Sequence, residues 1–290
     1  MKHVVRYPSR PFLSADGSLE IHQIPAWQDN LIWLAICTRT GEAAAIDGPE
    51  AGPVQSYCEG NQIRWTTILN THTHGDHVGI NRDLDGKGLL SQMRVVGPKK
   101  VSSDIPGITE MVTEGDEVRI GKAVGKVMVT EGHLNGHVSY VFDNVLFCGD
   151  TLFAGGCGFL FDGPPKKMFN SLLRLRELEG STHVCCAHEY TQDNLRFAWS
   201  VEPENTALRD RIRKVWMLRH RGECAVPSTI DEERATNPFL RFDSEAVRKH
   251  VGAAMPDEPL DSNEAVFAAT RALKDRKDYR TIGDADLPLA

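Results

Sequence analysis

The sequence predicts a mixed α/β domain over residues 1–190 followed by a smaller all-helical domain over residues 191–290. Three observations carry that expectation. Short β-rich runs broken by turn residues fill the first two-thirds of the chain. A histidine-rich word closes one of those runs. After Tyr190 the strand signals almost vanish and apolar residues recur at helical spacing.

Residues 31–37 and 43–46 are strongly apolar, and the second run stops at Asp47-Gly48-Pro49. Residues 65–69 are β-rich and lead directly into the histidine word. Further strands are expected at 118–120 and 126–130. Those at 138–142 and 145–148 flank Asp143-Asn144, which reads as a tight hairpin turn. Leu172, Leu175 and Leu178 fall at helical spacing behind Pro164 and Pro165, so 171–178 reads as a helix. Residues 183–187 form one more short buried strand. Helices are then expected at 194–201, 207–220 and 263–277, with basic composition at 209–221 and 271–280.

At 290 residues with 41% hydrophobic and 25% charged composition, the chain can bury a full core and reads as a globular protein. A net charge of −7 argues against nucleic acid as the partner, because phosphate binding is driven by Lys and Arg. No apolar stretch is long enough to span a bilayer, and the first twenty residues lack the apolar segment of a signal peptide. No membrane association is expected. The seven cysteines are odd in number and contain no CxxC pair, which fits reduced thiols and a cytoplasmic protein.

The chemistry is concentrated in His72-Thr73-His74-Gly75-Asp76-His77. In an extended chain alternate residues point the same way, so His72 and His74 can aim at one point from a strand end. Asp76 and His77 converge only if the chain turns, and Gly75 permits a turn. Three imidazoles and a carboxylate on one loop suit zinc or iron. Four donors so grouped imply more than one ion, with further donors elsewhere. His133, Asp150 and His188 sit at the ends of expected strands. Spacing alone leaves His133 and His137 as alternatives.

The order HxHxDH, then His, Gly-Asp and His resembles the metallo-β-lactamase superfamily. Several words are similar to one branch of it, the glyoxalase II (hydroxyacylglutathione hydrolase) family. They are Ile24-Pro25-Ala26 with Asp29-Asn30 and Trp33; Gly149-Asp150-Thr151-Leu152-Phe153 with Gly155-Gly156-Cys157-Gly158; His188-Glu189-Tyr190-Thr191; and Asn237-Pro238-Phe239-Leu240-Arg241. The resemblance implies an αββα sandwich with a helical second domain and two divalent metal ions, zinc first, with iron or manganese as alternatives. It implies His72, His74 and His133 at one ion and Asp76, His77 and His188 at the other. Asp150 bridges them, and His133 is chosen over His137, so that His137→Ala is expected to cost neither metal nor activity. Asp76 and Asp150 are the expected catalytic carboxylates.

The implied reaction is hydrolysis of S-D-lactoylglutathione, or a related 2-hydroxyacyl-glutathione thioester, by a metal-bridging hydroxide, in a monomer. Tyr190, Lys274 and Lys277 match the family's substrate contacts, and Asp47 and Thr151 are candidates for supporting the ligands. Phe159 departs from the pattern, since the family carries a basic residue there; Phe161 corresponds to a Tyr or Phe. Two rival readings are a mononuclear-iron persulfide dioxygenase on the same fold and a non-catalytic relative that binds thiol metabolites.

Overall fold

A computed structural model describes residues 3–289. Its first sheet runs in chain order through β1 (Phe12–Leu13), β2 (Leu19–Ala26), β3 (Asn30–Cys37), β4 (Glu42–Ile46), β5 (Arg64–Leu69), β6 (Arg94–Pro98) and β7 (Glu110–Val112). Strands β1 to β4 are antiparallel, and β4 to β7 are parallel. Parallel neighbours need a crossover. Helix α1 (Gly52–Asn61) supplies it between β4 and β5, and α2 (Gly79–Gly86) between β5 and β6.

The remaining strands are β8 (Glu117–Ile120), β9 (Ala123–Val129), β10 (Val138–Phe142), β11 (Val145–Gly149), β12 (Leu152–Phe153), β13 (Gly156–Cys157), β14 (His183–Cys186) and β15 (Ser228–Thr229). The second sheet has the order β15-β14-β11-β10-β9-β8, while β12 and β13 form a small hairpin of their own. The turn expected at Asp143-Asn144 joins β10 to β11, with Phe142 paired to Val145 and Asp143 at a φ of 49°.

Strand β3 explains its uninterrupted apolar run by burial on both faces. Leu31, Trp33, Ala35 and Cys37 enter the main core with Tyr140 and Phe147. Ile32 and Leu34 face the other way, against Val54 of α1 and Ile80 and Leu84 of α2. Each large apolar side chain so buried contributes about 1.5–3 kcal/mol. Helix α1 is invisible in the sequence pattern because only Val54 and Cys58 of it are buried.

Helix α3 (Pro165–Arg176) begins with a proline in its first turn, where no N–H is needed, and so starts earlier than the leucine spacing implied. Beyond it come α4 (Thr191–Val201), α5 (Thr206–His220), α6 (Ile230–Thr236), α7 (Glu245–Ala254) and α8 (Asn263–Asp275). Side chains of Asn205, Thr229, Ser244 and Ser262 accept the backbone N–H groups that open α5 to α8. The carboxyl-terminal region is thus helical, and it also lends β15 to the second sheet. Asn237 ties it to the β12–β13 hairpin, donating to the carbonyls of Phe153 (3.3 Å) and Gly156 (3.0 Å). Among the described residues, no helix is long and apolar enough to cross a membrane.

Candidate metal centre

Five loops leaving the carboxyl ends of strands meet at one edge of the sandwich. Asp47 follows β4, and the 72–77 loop follows β5, parallel to it. His133 follows β9, Asp150 follows β11 and His188 follows β14; β11 and β14 are parallel, and β9 shares their direction. Strand ends hold these loops on a rigid frame. After His74 the chain does turn, closed by the N–H groups of His77 (3.0 Å) and Val78 (3.1 Å) on the His74 carbonyl.

The donor atoms form two groups with Asp150 between them. His74 Nδ1 lies 3.2 Å from His72 Nε2 and 3.0 Å from His133 Nε2. Asp150 Oδ2 is 3.4 Å from His133 Nε2. On the other side, Asp150 Oδ1 is 3.4 Å from both His77 Nε2 and His188 Nε2. Asp76 Oδ2 is 3.5 Å from His77 Nε2 and 3.3 Å from His188 Nε2. Donors on a tetrahedron around an ion at the usual zinc–ligand distance stand about 3.3 Å apart. The spacings therefore suit metal ions, one on each side of the Asp150 carboxylate.

Tautomers point the same way. His133 Nδ1 faces the Phe159 carbonyl at 2.8 Å, His77 Nδ1 faces Asp47 Oδ2 at 2.9 Å, and His188 Nδ1 faces Asp29 Oδ1 at 2.8 Å. These oxygens only accept, so each Nδ1 carries a proton and Nε2 is the ring atom that faces inward, where it would offer its lone pair to an ion in place of a proton. Two of the inward atoms, His77 Nε2 and Asp150 Oδ1, are buried without a hydrogen-bond partner. Buried polar atoms are rarely left so, and a cation coordinated there satisfies both.

Electrostatics agrees. Burial pulls the His77 imidazole down, but the carboxylates of Asp150 and Asp47 override it and hold its pKa well above the usual value. Burial likewise opposes His188, which the Asp150 charge and the Asp29 and Asp76 carboxylates raise to about 9. The negative field that draws protons to these rings also draws divalent cations.

Supporting groups go beyond those expected. Asp47 takes the N–H of Thr71 at 2.8 Å and its hydroxyl at 2.6 Å. Thr151 Oγ1 lies 3.1 Å from His137 Nδ1. His137, read from sequence as dispensable, is fully buried and accepts the Asp150 N–H at 3.2 Å. Gly149 sits at a φ of +46°, and a Cβ there would lie 2.3 Å from Thr71 Oγ1 and 2.8 Å from His137 Nε2, so a side chain at this position would displace the groups behind Asp150. Sequence raised His137 only as the alternative to His133, because its contact with Asp150 joins loops that meet only in the fold.

Beside the cluster lies a cavity of about 370 Å³ lined by Tyr190, Phe159, Lys274 and Lys277 together with Asp193, Arg271 and Arg280. Tyr190 stacks on His188 with ring centroids 4.8 Å apart. Lys274 is buried, with its ammonium on Asn194 Oδ1 and 5.7 Å from each of the Phe197 and Phe239 ring centres. Burial, then repulsion by Arg271, lowers its pKa to about 7. Lys277 stands beyond α8 at a φ of 63°, not within the helix as expected. Phe161 does not line this cavity. It is exposed and packs edge-on against His74 and His133, at 5.1 and 5.2 Å. Arg271 and Arg280 were not singled out from sequence, although both fall in its basic 271–280 run.

Residues 56–188 match the profile of the metallo-beta-lactamase superfamily, and residues 189–277 match that of the hydroxyacylglutathione hydrolase C-terminus. The crystal structure of ETHE1 from Myxococcus xanthus aligns with a TM-score of 0.55 over 91% of this chain and 97% of that one, at 23% identity. With its two sheets and its His/Asp cluster compatible with a binuclear site, the protein has the metallo-β-lactamase fold. It is 46% identical to the hydroxyacylglutathione hydrolase of Methylococcus capsulatus, over 89% of this chain and 98% of that protein. The same comparison with the Gloeobacter violaceus hydroxyacylglutathione hydrolase gives 44% identity over 88% and 99%. The chain belongs to the hydroxyacylglutathione hydrolase family.

Proposed function

We propose that the protein hydrolyses S-D-lactoylglutathione, or a closely related 2-hydroxyacyl-glutathione thioester, to glutathione and the free hydroxy acid, D-lactate in the first case. The observation that carries this is the Asp150 carboxylate, with one oxygen facing His133 and the other facing His77 and His188. In this reading His72, His74, His133 and Asp150 hold one divalent ion, and Asp76, His77, His188 and Asp150 hold the other. Zinc is the first choice, with iron or manganese as alternatives. Bound there, the ions supply a water acidified toward neutral pH and a Lewis acid for the thioester carbonyl.

The chain's own residues do the rest. Lys274 and Lys277 offer point charges to glutathione carboxylates, and the Tyr190 ring forms a wall continuous with His188. The leaving group is a thiol of pKa about 8.5, which departs as thiolate without a proton donor. Phe159 and Phe161 give the mouth of the site an apolar rim. A one-iron reading would leave Asp76, His77 and His188 without work, so the thioester hydrolase is preferred to the dioxygenase. The odd number of cysteines with no CxxC pair fits reduced thiols and a cytoplasmic location, and we take the protein to act as a monomer.

A steady-state assay with S-D-lactoylglutathione, with metal analysis of the same sample, tests the proposal. Turnover with about two ions per chain is expected for such a two-metal hydrolase. A single iron with oxygen consumption and no thioester cleavage would overturn it.

A further inference from the structure

The first residues of the chain carry no motif, yet they lead to the metal centre. Val4 donates its N–H to the Gln28 carbonyl at 2.7 Å, and His3 Nε2 lies 2.9 Å from the Asn30 carbonyl. The Val5 N–H occupies His3 Nδ1 at 2.8 Å, so Nε2 carries the proton and donates it to Asn30. The segment is secured at its other end. Arg6 and Tyr7 donate to the Gly222 carbonyl at 2.8 and 2.9 Å, Cys224 donates to the Tyr7 carbonyl at 3.1 Å, and Arg219 donates to the Val4 carbonyl. Val5 is buried in the main core, and the Ser9 N–H reaches Gln23 Oε1 at 3.0 Å.

What the segment grips is the turn between β2 and β3 together with the first residue of β3, and two side chains there, Asp29 and Asn30, hold donors of the cluster. Asn30 Nδ2 donates to Asp76 Oδ2 at 2.9 Å. Asp29 Oδ1 takes the proton of His188 Nδ1 at 2.8 Å. The turn is also bonded to the chain around His188: Leu31 N–H to the Ala187 carbonyl at 2.7 Å, and Glu189 N–H to the Asp29 carbonyl at 3.0 Å. The other group of donors is anchored elsewhere, His72 beside Thr71 Oγ1 and His133 on Phe159.

We infer that residues 3–9 form a positioning strap that fixes the Asp29–Asn30 turn and thereby orients Asp76 and His188, so that the strap governs retention of one of the two ions and not the other. This rests on the two-metal reading given above. The physical basis is that groups bonded behind metal ligands set ligand orientation, and their loss typically weakens metal binding about 10- to 100-fold. The strap acts one bond further out, through the backbone of the turn, so an effect near the lower end is expected.

The test uses zinc(II) alone as the probe, on protein loaded to saturation and then challenged with a competing chelator, with release followed by stoichiometry. His3→Ala and a chain lacking residues 1–8 should release one ion about tenfold more readily than wild type while holding the other unchanged. His3→Gln should restore retention, because its amide N–H reaches the same carbonyl. Melting of the metal-free proteins separates this from general loosening. Unchanged retention, or equal weakening at both ions with a lowered melting point, would overturn the strap. Wild type that binds a single ion would instead overturn the two-metal reading. Should the truncated chain not fold, the His3→Ala arm decides.

Discussion

The backbone N–H of Asp150 donates to Nε2 of His137 at 3.2 Å, so the main chain that carries the carboxylate between the two donor groups is anchored by a histidine outside both. On its other side His137 Nδ1 meets the hydroxyls of Thr130 and Thr151, each at 3.1 Å. Contrary to the expectation from sequence, His137→Ala should lower both metal content and kcat. It also leaves a buried N–H without an acceptor, a loss of about 1–3 kcal/mol. Elemental analysis with chemical denaturation checks this; wild-type values in both would show that His137 only fills space.

Asp150→Ala should remove metal and activity together, because both donor groups lose a shared oxygen donor. Asp150→Asn should keep part of the metal, since one amide oxygen remains, and lose most of kcat. Measured stoichiometry of both variants distinguishes the bridging role from a one-sided one, in which Asp150→Asn would keep both ions.

Lys274 predicts a pH dependence. Its pKa is lowered to about 7 in the folded protein, from an ordinary value of 10.5. Below about 7 it is charged and ready for a carboxylate; above that, binding must take up a proton. KM for the glutathione thioester should therefore rise with pH above neutrality, and Lys274→Met should raise KM with little change in kcat and abolish that rise. The stability effect has the opposite sign. Between the two pKa values the unfolded chain holds a proton that the folded one does not, so stability of the ligand-free protein climbs with pH across that window. It is lost as pH falls through the folded pKa, with a slope of at most about 1.4 kcal/mol per unit. Denaturation curves of wild type and Lys274→Met over pH 6–9 provide the comparison.

Phe159 stands half exposed in the same cavity as Lys274 and Lys277. Phe159→Lys should add a third cation facing the peptide part of the substrate and lower KM several-fold without changing kcat. An unchanged or higher KM would mean that the aromatic ring itself contacts the substrate.

Much of the site was legible because its chemistry is carried by residue types and local spacing. The 72–77 word needs only alternation along an extended chain and a turn after His74. His133, Asp150 and His188 were legible as polar residues closing apolar runs. Strands at 31–37, 138–142 and 145–148 were legible because their burial is nearly continuous. Helices α1 and α2 were not, since each buries only a few residues of a mostly polar surface. Lys277 was misplaced into α8 because its side chain suits a helix, while its left-handed backbone ends one.

By itself, the sequence determined which atoms are available to hold metal, because donor identity is a property of residues. It also determined that the chain divides into strand-rich and helix-rich parts, because periodicity follows burial. Only the tertiary structure decided the partners. It turned the two oxygens of Asp150 to opposite groups, set His137 behind Asp150, and carried His3 to the turn that holds Asp76 and His188. Those pairings join residues far apart in the chain through hydrogen bonds a few ångströms long, and local pattern holds no record of contacts made only when the loops meet.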